Sequence, residues 1–141
     1  MIRNATAKDT TILVRMGRNF RGSTPYAKYI SDNPGKATQL ISQLIRNKTL
    51  IVLEEGEQIV GMLGYIVHSH FMSGDLVVTE VFWWVEPEHR GSGVSLMDEM
   101  ENRARTLGAK FTQMIAPNAK VARFYRHCGY EFVESCHQKA L

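Results

Sequence analysis

Two features of this sequence could do chemistry. One is Arg90-Gly91-Ser92-Gly93-Val94-Ser95, a turn of small residues headed by a cation, set between an apolar strand pattern at Leu76–Val85 and an amphipathic helix pattern. The first N–H groups of a helix have no intrahelical acceptor, and the helix dipole adds about half a positive charge there, so such a turn suits an anion such as a pyrophosphate. Gly91 and Gly93 let the backbone approach a ligand without a Cβ in the way, and Arg90 adds a permanent cation. The other feature is Glu80, the one acidic side chain in a strand that is otherwise apolar apart from Thr79. Burial beside Phe82 and Trp84 would raise its pKa toward the range a general base needs, whereas a half-exposed strand would leave it a solvent-facing charge.

Better-known glycine motifs do not fit. A nucleotide-binding GxxxxGK[ST] loop needs a lysine that Val94-Ser95-Leu96 does not supply, and the dinucleotide pattern GxGxxG finds Leu96 at its third glycine. The surroundings of the turn are more specific. Val85-Glu86-Pro87-Glu88-His89 followed by Arg90-Gly91-Ser92-Gly93-Val94-Ser95 resembles motif A of the GNAT family of N-acetyltransferases, [QR]-x-x-G-x-[GA], with Ser95 where the family prefers Gly or Ala. Downstream, Asn118-Ala119-Lys120-Val121-Ala122-Arg123-Phe124-Tyr125, then Cys128-Gly129-Tyr130, resembles the family's N-x-x-A-x-x-[FL]-Y…G-[FY] segment. Ile2 to Thr6 and Asp9 look like its opening strand and first helix, so the resemblance covers essentially the whole chain.

The resemblance implies acetyl-CoA as acyl donor, with the pyrophosphate on Arg90, Gly91, Ser92, Gly93, Val94 and Ser95. The pantetheine arm would lie along the strand near Trp84 and Val85, where a backbone amide would face the thioester carbonyl. Glu80 would act on the acceptor ammonium and Tyr125 would stabilise the leaving thiolate, unless Phe124 and Tyr125 are simply aromatic core. Asn118 would touch the pantetheine arm, although its N-cap position already accounts for it. Trp83 and Trp84 must face opposite sides of their strand, which puts at least one in the core. Glu86 and Glu88, in the turn, read as solvated.

The elements that must hold these groups can be read from periodicity. A strand at Ile2–Ala5 leads to a capping-box-like Thr6-x-x-Asp9 and a helix burying Leu13, Met16, Gly17 and Phe20. A second helix, after the turn Ser31–Gly35, carries Ala37, Leu40, Ile41, Leu44 and Ile45 on one side. Strands Leu50–Leu53 and Ile59–Val67 form a hairpin around Glu55-Gly56-Glu57, and the strand Leu76–Val85 feeds the cradle. The following helix turns Leu96, Met100, Ala104 and Leu107 inward and stops at Gly108. A strand at Phe111–Ala116, a helix at Asn118–His127 and a last strand at Glu131–Cys136 complete the chain. This order predicts one α/β domain over residues 1–141: a mixed, mostly antiparallel sheet flanked by helices, GNAT-like with a shortened C-terminus.

Composition sets the remaining expectations. With 141 residues, 44% of them apolar, the chain suits one globular core. It has no apolar run of membrane-spanning length and no signal-peptide core, so a cytoplasmic protein without a membrane partner is expected. Its net charge of +3 is scattered, which fits an anionic cofactor and does not indicate nucleic acid. Cys128 and Cys136 read as free thiols. His68 and His70 share a strand face without a third ligand, so no metal is expected. Arg18, Arg21, Tyr26 and Tyr29 belong to the segment expected to wall the acceptor cleft, and a homodimer is the default for a small enzyme. The resulting reading is an acetyl-CoA-dependent N-acetyltransferase acting on a primary amine of a small molecule or protein. Its rivals are a non-catalytic acyl-CoA-binding regulatory module and a nucleic-acid-binding protein.

Overall fold

The apolar run Leu50-Ile51-Val52-Leu53 lies at the centre of the fold because both faces of its strand are covered. In the computed structural model, which describes residues 1–141, β1 (Ile2–Asn4), β2 (Leu50–Glu55), β3 (Gln58–Ser69), β4 (Leu76–Val85) and β5 (Phe111–Gln113) form one sheet in that spatial order. β1 to β4 run antiparallel, and β5 lies parallel to β4. Helices α1 (Thr10–Gly22) and α2 (Pro34–Arg46) pack Leu13, Met16, Ile41 and Leu44 on one face, against Leu50, Val52, Met62 and Phe82. Helix α3 (Val94–Leu107) packs Leu96, Met100 and Ala104 on the other, against Ile51, Leu53, Leu63, Tyr65, Val78 and Val85. Alternate residues of β2 therefore serve two cores. Helix α4 (Ala119–His127) adds Phe124 and Tyr125 beside Trp83 on the α3 side.

Local chemistry explains the boundaries. Asp9 accepts from the backbone N–H of Thr6 at 2.8 Å, as a capping box requires, and also pairs with Arg3 at 2.8 Å. Arg3 bridges on to Glu54 at 3.0 Å, tying the start of the chain to the end of β2. Asn33 and Asn118 cap α2 and α4 by accepting from Lys36 and Val121 N–H groups. Gly108 ends α3 in the left-handed region at φ 78°, where a side chain would be strained.

The feature that shapes the site is a β-bulge. Tyr65 of β3 pairs with Glu80, but Gly64 pairs with Phe82, which leaves Val81 as an extra residue in β4. The bulge resets the alternation, so Glu80 and Trp83 face the α3 side while Phe82 and Trp84 face α1 and α2. Gly64 makes it possible: a Cβ there would lie 2.7 Å from Phe82 Cζ and 3.0 Å from Leu44 Cδ1. Gly64→Ala is expected to destabilise the fold by about 1–3 kcal/mol through overpacking, read from chemical denaturation. An unchanged denaturation midpoint would show that Phe82 repacks freely.

Four expectations are corrected. Leu40 and Leu107 sit on the exposed side of their helices, and Met97 is buried instead. β5 ends at Gln113, not Ala116, because the chain turns away from β4 there. No strand forms at Glu131–Cys136: no neighbouring strand lies close enough to bond it, and residues 131–141 are all exposed.

Candidate active site

The β4–β5 ladder consists of three pairs and ends at Thr79 and Gln113. A polar chain fixes that end point. His68 Nε2 lies 2.8 Å from Thr79 Oγ1, and Thr79 Oγ1 donates to Gln113 Oε1 at 2.9 Å. Beyond it the strands part, and the next residue of β4 on the α3 side is Glu80, only 4% exposed. Its Oε2 accepts from the backbone N–H of Ile115 at 3.1 Å. Burial pushes the Glu80 carboxyl up to about 7, with the Ile115 bond pulling more weakly the other way. This is a carboxylate poised to exchange a proton near neutral pH.

Tyr125 arrives at the same point from α4. Its hydroxyl is directed at the carbonyl oxygen of Ile115, 3.5 Å away, so Glu80 and Tyr125 meet on the two sides of one residue. Tyr125 is buried, stacks on Trp83 at 6.2 Å and 16°, and rests on Tyr130 at 5.9 Å. Burial, then the nearby Glu80 carboxylate, drive its phenol pKa well above the ordinary value. The hydroxyl therefore stays protonated and acts as a hydrogen-bond donor. Tyr130 is held in turn by Glu101 and Thr112, each at 3.0 Å.

The segment expected to form the cradle is a 3-10 helix running directly into α3, with Gly93 N–H donating to Arg90 O at 3.2 Å. Pro87–Ser92 forms a 3-10 turn, Gly93 is the N-cap of α3, and Ser95 Oγ donates to Ser92 O at 2.8 Å. A Cβ on Gly91 would meet open space, whereas one on Gly93 would lie 2.7 Å from Val85 Cγ2. Gly91 thus borders the open side, and Gly93 lets α3 press against β4. Arg90 lies over the Trp84 ring at 5.4 Å, beside the turn and across the sheet from Trp83. Val94 and Ser95 begin the helix, where free N–H groups are concentrated. Trp83 extends from the cradle to Tyr125, its indole 3.5 Å from the position of a Gly93 Cβ. Cradle, Trp83, Tyr125 and Glu80 thus line the α3 side of β4 in that order.

Other candidates have different duties. Trp84 turns its ring toward α1 and α2 and directs its indole N–H to Glu86 at 3.4 Å, and the Glu86 N–H bond to Val60 O sets an alternation in which the Trp84 backbone faces β3 and those of Trp83 and Val85 face the parted edge of β4. Asn118 caps α4 through its side-chain oxygen. Glu86 is paired with Arg15 at 2.6 Å and lies away from Glu80. Arg18 pairs with Asp32, and Arg21 donates to the carbonyls of Ala27 and Ile30, so both fasten the segment after α1. Tyr26 is the member of that segment near enough to Glu80 to feel its charge; burial, chiefly, raises its pKa. Tyr29 lies at the surface under Lys28. No group of three or more His, Cys, Asp or Glu side chains is arranged to hold a metal ion.

Several contributors were not visible in the sequence: Ile115, the Trp83–Tyr125 stack, and the His68–Thr79–Gln113 chain. Glu55 is another, reaching back from β2 to accept from His89 at 2.7 Å beside the cradle. Each depends on partners brought together by strand pairing. Only the glycine at position 64, opposite an aromatic, hinted at the bulge.

A family model described as the acetyltransferase (GNAT) family matches residues 19–130. Solved structures share the fold over the full chain. A transcriptional regulator from Bacillus halodurans has a TM-score of 0.80 at 22% identity, covering 100% of this chain and 99% of that one. An aminoglycoside antibiotic 6'-N-acetyltransferase from Acinetobacter haemolyticus has a TM-score of 0.77 at 19% identity, with 100% and 97% coverage. A ribosomal-protein-alanine N-acetyltransferase from Brucella melitensis has a TM-score of 0.73 at 12% identity, with 100% and 99% coverage. No curated protein is a significant sequence match.

Proposed function

The chain belongs to the acetyltransferase (GNAT) family, and from that premise we propose that it transfers an acetyl group from acetyl-CoA directly to a primary amine. The observation that carries this reading is the meeting of Glu80 and Tyr125 on Ile115, at the point where β4 and β5 part. Acetyl-CoA supplies an activated thioester carbonyl. The cradle from Arg90 to Ser95 holds its phosphates through helix-terminal N–H groups, and the parted edge of β4 at Trp83 and Val85 turns backbone groups toward its arm. Glu80 takes the proton that the attacking amine must lose as the C–N bond forms, and its pKa of about 7 makes it a better acceptor than an ordinary carboxylate. Tyr125 donates a hydrogen bond to the sulfur as the C–S bond breaks. Its raised pKa favours that role over full proton transfer.

The acceptor stays defined by its amine. Structural neighbours are named for an aminoglycoside and for a ribosomal-protein alanine, which shows how far acceptors diverge on one fold. Tyr26, half-buried and close to Glu80, is the side chain we place against the acceptor. We place the reaction in the cytoplasm, where the unpaired Cys128 and Cys136 remain thiols.

Thermal melting with acetyl-CoA, CoA and ATP in separate samples tests the donor site. Saturation a hundredfold above the dissociation constant stabilises by about 2.7 kcal/mol, or roughly 5–15 °C for a domain of this size. The expected result is a shift with both CoA species that Arg90→Glu removes, followed by release of free CoA thiol in the presence of an amine panel. Absence of any shift at millimolar CoA would sink the reading.

A further inference from the structure

The positive charge on the outer flank of α1 is only partly compensated. Arg15, Arg18, Asn19 and Arg21, with Asp32 from the turn before α2, line an open hollow of about 370 Å³ that contains no apolar side chain. Arg15 gives its Nη2 to Glu86 at 2.6 Å, and Arg18 gives its Nε and Nη2 to Asp32. Arg21 has no carboxylate of its own: its Nη2 donates to the carbonyls of Ala27 and Ile30, and its Nε–H is buried without an acceptor. Three guanidiniums therefore face two carboxylates. Each guanidinium carries five N–H donors, and the Nη1 groups of Arg15 and Arg18 are unspent on side chains that stand 52% and 51% exposed.

The hollow adjoins the wall assigned to the acceptor. α1 covers the face of β4 that carries Phe82 and Trp84, whereas α3 covers the other, so the sheet separates this charge from the donor phosphates. α1 follows β4, with Arg15 beside Glu86 and Phe20 against Phe82 at 6.3 Å. The segment that Arg21 pins then carries Tyr26 to Glu80. Arg18 falls between the first two contacts, roughly two to four residues of strand from Glu80, or about 7–13 Å.

We propose that the acceptor is an anionic amine: its nitrogen lies at Glu80, and its carboxylate or phosphate is held in this hollow by the unspent donors of Arg15 and Arg18, in the field of Arg21. The proposal rests on the acetyltransferase reading of the site. Guanidinium groups bind both kinds of anion through charge-assisted, paired hydrogen bonds. Repulsion sharpens the choice, because an acceptor whose far end is a second ammonium meets the uncompensated charge of Arg21. Asp32 is a resident competitor, since it occupies two donors of Arg18 that would otherwise be open to the incoming anion.

Calorimetric titration of the full chain with ω-aminooctanoate, ω-aminooctyl phosphate, octylamine and diaminooctane, each with and without saturating CoA, tests this without turnover. At least one anionic probe is expected to bind tenfold or more tightly than octylamine, the better of the two identifying the group, with diaminooctane weakest. Arg18→Gln should remove that preference and Asp32→Asn should increase it, both variants keeping the CoA melting shift of the parent chain. An ion pair with only a structural duty predicts that the two variants fail alike, because each breaks the same pair. Absence of the preference in the parent chain overturns the proposal and, beside an intact CoA shift, leaves acetyl transfer standing. Variants that change the preference in the same direction also overturn it, as does a loss of CoA affinity in Arg18→Gln, which would assign the hollow to the donor. A preference for anionic probes in a chain that gives no CoA shift would keep the anion site and sink the catalytic reading alone.

Discussion

Glu80→Gln is expected to lower turnover by about 10²–10³-fold while leaving acetyl-CoA affinity close to that of the parent chain. The amide keeps the size of the side chain and can still accept from Ile115 N–H, but it cannot take a proton. In the parent enzyme kcat/KM should rise with pH and bend near 7, where the buried carboxyl ionises. The variant should lack that limb and keep only the rise near pH 10 expected from an alkyl ammonium acceptor. A glutamine variant with parental rate and an unchanged bend would remove Glu80 from the mechanism.

The same substitution carries an opposite expectation for stability. In the unfolded chain this carboxyl ionises near 4.5, and in the fold near 7. Native protein therefore binds the proton more tightly, and the resulting stabilisation is fully present below pH 4.5. It is lost as pH rises through 7, by an amount on the order of 3 kcal/mol. Glutamine has no such loss, so at pH 8 the inactive variant should unfold at a higher denaturant concentration than the parent, the gap closing at pH 4. A buried carboxylate that costs stability at working pH is what a catalytic assignment predicts and a structural one does not.

What was legible in the sequence and what was not divide along a physical line. Groups fixed by local pattern could be read. Glu80 stood out as the acid in an apolar strand, the connection from β4 into α3 followed from a strand, small residues and a helix start, and Thr6–Asp9 and Asn118 announced their caps. Groups fixed by long-range pairing could not. The bulge at Val81 decides which way Glu80, Trp83 and Trp84 point, and it arises from the register of β4 against β3. Ile115, which joins Glu80 to Tyr125, follows a strand that ends earlier than its apolar pattern suggests, because β4 and β5 separate. The pattern at Glu131–Cys136 was strand-like in the same sense as that of β2, but a strand needs a neighbour, and periodicity says nothing about whether one is within reach.

The reason for glycine at position 93 shows that line at a single atom. Sequence reasoning attributes it to backbone access for a ligand, yet Gly93 has φ −68° and ψ −21°, a conformation any residue adopts. By backbone alone, Gly93→Ala should stabilise by about 0.4–1 kcal/mol. The new Cβ, however, would lie 2.7 Å from Val85 Cγ2, and Val85 is itself buried in the core beneath α3. Overpacking of this kind costs about 1–3 kcal/mol, enough to reverse the sign and lower the melting point by several degrees. Relief by displacement of α3 would move the N–H groups of the cradle, so CoA affinity should fall tenfold or more in the same variant. Val85→Ala tests the cause. Alone it leaves a small cavity and destabilises, but combined with Gly93→Ala it removes the atom in the way. The pair should then be coupled by more than about 1 kcal/mol, with both stability and CoA affinity partly restored. Simple additivity would mean that the requirement for glycine lies with the ligand after all, and the cradle would then be read as the sequence first suggested.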